Sequence, residues 1–76
     1  MLKREIKKII EEMKIGEEVT FHSNDNDGWR TDTIKRYEDD YTIYSIGSGW
    51  SDQEPEYFTQ KQVIKAIWTE KPYTCY

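Results

Sequence analysis

Hydrophobic residues recur with helical spacing at the start of the chain, where Leu2, Ile6, Ile9, Ile10 and Met13 fall at offsets of 0, 4, 7, 8 and 11. That spacing places them on one face of an amphipathic helix over 2–14, with Gly16 following as its stop. The opposite face alternates lysine and glutamate, including the i,i+4 pairs Lys7–Glu11 and Lys8–Glu12 in the less favourable Lys-first order, and reads as solvated. The period then shortens. In "EEVTFHS", Val19 and Phe21 alternate with Thr20 and His22, as in a half-buried strand over about 17–23. "WRTDTIKRY" and "YTIYSI" are rich in β-branched and aromatic residues and predict strands over 29–37 and 41–46, joined by a short acidic "EDD" connection.

The stretch "GSGWSDQEPEY", with two glycines and a proline, reads as a loop. A second helix over 60–70 opens on a capping box of Thr59 and Gln62, with Phe58 placed to staple onto Val63. Val63, Ile64, Ile67 and Trp68 supply its buried stripe. Lys71-Pro72 ends it, because the residue before a proline is biased away from helix. The predicted fold is a single small α+β domain over residues 1–76 with the order α-β-β-β-α. Its sheet is a three-stranded antiparallel meander, with both helices on one face.

Length and composition narrow this reading without changing it. A chain of 76 residues builds one domain and buries only about 60% of the surface its unfolded form exposes. Aromatics at 14% argue for a folded chain although 34% of residues are charged. No apolar run approaches the roughly 18 residues needed to cross a bilayer, and "MLKREIKKII" lacks the apolar stretch of a signal peptide, so a cytoplasmic protein is expected. The single cysteine, Cys75, has no internal disulfide partner.

Charge is distributed unevenly. Residues 1–21 carry five basic and five acidic side chains, whereas residues 22–58 carry nine acidic against three basic, a net charge of −6 within a chain total of −4. The negative charge therefore gathers where the connections between strands are expected.

Four stretches or residue groups are candidates for a site. In "SNDNDGWR", Asp25, Asp27 and Gly28 match the third, fifth and sixth positions of a calcium loop, but the first falls on Ser23 and the twelfth on Ile34, so the bidentate carboxylate is missing. Asp-Gly between strand-like runs is instead a hairpin signal. His22 has no second imidazole or nearby cysteine for zinc. As a base for Ser23 it is poorly placed, since neighbours in a strand point to opposite faces. "IGSGW" leads into no adjacent helix and lacks the lysine of a phosphate loop. The aromatics divide: Phe21, Phe58, Trp68 and one of Tyr41 or Tyr44 are needed to fill a small core. Trp29, Trp50, Tyr37, Tyr41 and Tyr57 sit near turns and acids, either as interface anchors or as caps on the core edge. Stacking bases on such aromatics would need a positive groove, and the −6 of residues 22–58 disfavours direct nucleic-acid binding.

In its order of elements and its acidic connections, the chain resembles small phage-borne inhibitor proteins of the anti-CRISPR kind. The resemblance covers architecture and charge placement and carries over no individual residue. It implies a cytosolic inhibitor whose acidic loops occupy a nucleic-acid-binding surface of a nuclease. The modest net charge and the lysines of both helices depart from a strong DNA mimic.

The first reading is therefore a small acidic inhibitor or adaptor that engages a basic, nucleic-acid-handling surface of a protein partner. Its carboxylates would come from loops 23–28, 38–40 and 52–56: Asp25, Asp27, Glu38, Asp39, Asp40, Asp52, Glu54 and Glu56, with Trp29, Trp50 and Tyr57 as anchors. No catalytic residue, metal, cofactor, membrane or direct nucleic-acid contact is expected. The alternative is a small-ligand or nucleotide-sequestering protein acting as an oligomer, with Arg30 and Arg36 on phosphate and tyrosines stacking a base. A convex acidic surface favours the first reading, and a concave basic-aromatic pocket the second.

Overall fold

The apolar face read at the start of the chain winds into helix α1 (Lys3–Glu11), whose Leu2 N–H is held by Glu5 Oε2 at 3.3 Å. The computed structural model of the chain describes residues 1–25, 28–47 and 56–75. The helix ends before Gly16. Lys14 to Glu17 close a turn of their own, with Glu17 N–H donating to the Lys14 carbonyl at 2.9 Å. Gly16 sits in that turn at φ 87°, a conformation glycine adopts without strain, and its N–H donates to the Arg36 carbonyl at 2.7 Å. The glycine thus docks the turn onto the sheet and does not cap the helix.

Strands β1 (Glu18–Asp25), β2 (Gly28–Arg36) and β3 (Tyr41–Gly47) form the antiparallel meander expected from the sequence. Asp25 pairs with Gly28, the latter at φ 127°, which agrees with the hairpin reading of "SNDNDGWR". The sheet is wider than the sequence suggested, because two short strands join its edges. β4 (Glu56–Phe58) pairs with β3 through Tyr41↔Phe58, and β5 (Thr74–Cys75) pairs with β1 through Phe21↔Cys75. The order across the sheet is β4-β3-β2-β1-β5. Strands of three and two residues are too short to show an alternating pattern, so only the pairing defines them.

Helix α2 (Gln60–Thr69) starts as predicted, with Gln62 N–H donating to Thr59 Oγ1 at 3.2 Å and Thr59 N–H donating to Gln62 Oε1 at 2.9 Å. Both helices lie on one face of the sheet, where Ile6, Ile10, Val63, Ile64 and Ile67 share a core with Met13, Phe21, Ile34 and Tyr41. The Tyr41 hydroxyl faces the Ile10 carbonyl at 3.4 Å. Trp68, read from the sequence as part of the buried stripe, is 47% exposed. At 100° per residue it falls on the flank of the stripe set by Val63, Ile64 and Ile67, which sends its ring to the groove beside α1.

Candidate functional site

An antiparallel meander puts successive connections at opposite ends of its sheet, and this fixes where the acidic residues go. Asp25, at the end of β1, lies at one end, where β3 also finishes at Gly47. Glu38, Asp39 and Asp40 connect β2 to β3 at the other end. β2 separates the two ends by eight residue steps, about 26 Å at roughly 3.3 Å per residue. Asp25 and the 38–40 connection therefore lie at opposite ends of the sheet. Asp27, Trp50, Asp52 and Glu54 lie outside the described residues, and for Asp25 and Glu56 only the backbone position in β1 and β4 is described.

The 38–40 hairpin is built locally. Tyr37 N–H donates to the Asp40 carbonyl at 2.7 Å, so that Glu38 and Asp39 form the tip, and all three acidic side chains are exposed. Tyr57 crosses to this end from β4, opposite Thr42, and its ring meets that of Tyr37 with centroids 5.8 Å apart at 57°. The result is three carboxylates beside two tyrosines, of which Tyr57 is 68% exposed. The neighbouring cations are engaged elsewhere. Lys35 Nζ sits over the Tyr37 ring at 5.4 Å, and Arg36 turns inward to donate to the Met13 carbonyl. Among the described residues, none of the three carboxylates pairs with a cation.

Trp29 is 52% exposed, on the sheet face away from the helices and level with Asn24, hence far from the hairpin. Of the proposed anchors with described side chains, Tyr57 accompanies the acids and Trp29 does not. Tyr41, expected either in the core or among the loop aromatics, is buried in the core.

A second polar feature, which the sequence reading missed, lies on the inner face of the sheet. Asp32 is 3% exposed and accepts a hydrogen bond from the Ser45 hydroxyl across the β2–β3 pair, and Arg30 makes an ion pair with Glu70 at the end of α2. Burial raises the Asp32 carboxyl above its ordinary pKa. The Ser45 hydrogen bond acts against that shift, Glu70 adds to it, and Arg30 opposes it. Strand parity was the available signal: Ile34 faces inward, so Asp32 and Arg30 must share its side. Both arginines named as phosphate ligands are thus committed within the chain, Arg30 to Glu70 and Arg36 to Met13. No family model matches the chain, and no curated protein or solved structure matches it.

Proposed function

We propose that the protein is a protein-binding inhibitor or adaptor whose β2–β3 hairpin engages a basic surface of its partner, a surface of the kind that otherwise holds nucleic acid. The observation that carries this reading is the hairpin itself, with three exposed carboxylates that make no ion pair among the described residues and lie next to the exposed Tyr37–Tyr57 pair. Unneutralised surface carboxylates steer a cationic partner and set its orientation. Tyrosine adds contact area at low entropic cost, with a hydroxyl that can stay wet. Relative to the sequence reading the site is narrower. It consists of Glu38, Asp39, Asp40 and Tyr57, joined by Tyr37, and the 23–28 hairpin falls outside it.

The test is a differential capture from lysate of the source cell, using the parent protein and its Asp39→Lys/Asp40→Lys variant at low and high salt. The reading expects a basic protein retained by the parent at low salt, released by salt, and absent from the variant. Capture of the same proteins by both forms would contradict it.

A further inference from the structure

Between α1 and α2, where Lys3 near the start of one helix lies over Trp68 near the end of the other, is a groove of about 510 Å³, within the size range of small binding sites. One rim carries Lys3 and Lys7, one helical turn apart on α1, and the other carries Lys61 and Lys65, one turn apart on α2. The floor is Ile64 and Trp68, and Lys3 Nζ lies 5.0 Å above the Trp68 ring. Among the described residues, none of the four ammonium groups makes an ion pair. Four like charges around this floor repel one another, and an anionic occupant removes that repulsion while covering the half-exposed Trp68 ring.

We infer that this groove is a second binding site, opposite in charge to the hairpin and independent of it, which takes an acidic amphipathic helix from another protein. Charge placement selects this occupant. The lysines form two rows facing each other across an apolar strip, which matches a helix with an apolar ridge flanked on both sides by carboxylates. A nucleotide would concentrate its charge at one end and would draw on backbone N–H groups or a helix N-terminus. Part of that donor set is taken here, since the Thr59 and Gln62 N–H groups are held in the α2 capping box and Glu5 holds the Leu2 N–H at the start of α1. Both rims also lack arginine, the residue best suited to bidentate phosphate contacts.

The probe is a dye-labelled fourteen-residue helical peptide with a leucine ridge and glutamate flanks, titrated against the whole protein and followed by anisotropy and amide shifts. The expected result is saturable binding that weakens at least tenfold when glutamine replaces glutamate in the probe, and at least tenfold in Lys7→Glu/Lys65→Glu. Shifts should be confined to α1, α2 and the Trp68 indole. Because all four lysines are exposed, the variant should melt with the parent, and the milder Lys7→Gln/Lys65→Gln should fall between the two. Three results would each overturn the proposal. One is equal affinity for the glutamate and glutamine peptides. Another is displacement of the peptide by ATP or oligo-dT at tenfold lower concentration. The third is concentration-dependent self-association that produces the same shifts without peptide.

Discussion

Truncating Phe21 tests the core that holds both surfaces in place. Phe21 is fully buried and sits in the middle of the sheet, with Asp32 of β2 on one side of its backbone and Cys75 of β5 on the other. It shares one cluster with the buried faces of both helices. Phe21→Ala should cost about 3–5 kcal/mol, through lost transfer energy and the cavity left behind. A domain of 76 residues holds about 4–11 kcal/mol in total, at roughly 0.05–0.15 kcal/mol per residue, so this single change removes about a quarter of the margin or more. At about 4–8 °C per kcal/mol, the melting temperature falls by at least about 12 °C, and the weakest outcome is a chain unfolded at room temperature. Phe21→Leu keeps most of the volume and should cost about 1.5 kcal/mol or less. Circular dichroism melts paired with urea midpoints measure both. The exposed Tyr57→Ala serves as a control, with a change of about 0.5 kcal/mol or less. If Phe21→Ala melts within about 4 °C of the parent, Phe21 is not at the centre of a core shared by sheet and helices.

Asp32→Asn should gain stability over the parent as pH rises. The folded state holds the raised carboxyl's proton more tightly than the unfolded state, so the parent loses stability between the ordinary carboxyl pKa and the raised one, while the variant does not. Melts from acid to neutral pH should show the difference growing and then levelling off, and a difference that is flat or reversed with pH contradicts the burial argument. Thr59→Ala should cost about 1 kcal/mol by freeing the Gln62 N–H, read as a shift in urea midpoint, with Thr59→Ser close to the parent.

The long periodic elements were legible in the sequence because each satisfies its pattern locally. Val19 and Phe21 turn inward as their alternation requires, and Thr59 caps α2 with the partner its spacing names. β4 and β5 were not legible, since three and two residues carry no period and become strands only by lying against β3 and β1. Trp68 was misplaced because a residue on the flank of an apolar stripe is buried or exposed according to what the neighbouring helix offers. Here α1 offers the ammonium of Lys3. Of the candidate site, the acids at 38–40 were visible as a hairpin connection. Their meeting with Tyr57 was not, because it depends on β4, a strand of three residues, pairing with β3. The Asp32 cluster combines strand parity with Glu70, almost forty residues away, and only the second of these is non-local.

The central claim is that the 38–40 hairpin steers a basic partner, and the association rate constant as a function of salt tests it most directly. The measurement sets the partner captured by the parent against the parent and the Asp39→Lys/Asp40→Lys variant, in surface-based binding kinetics paired with a melt. Each reversed charge replaces an attraction by a repulsion of about 1 kcal/mol at 4 Å in water, reduced by screening over about 8 Å at physiological salt. Two reversals should therefore slow association roughly tenfold or more at low salt and by little at 1 M, with the melting temperature unchanged. An association rate that stays the same at low salt in a folded variant would contradict the account.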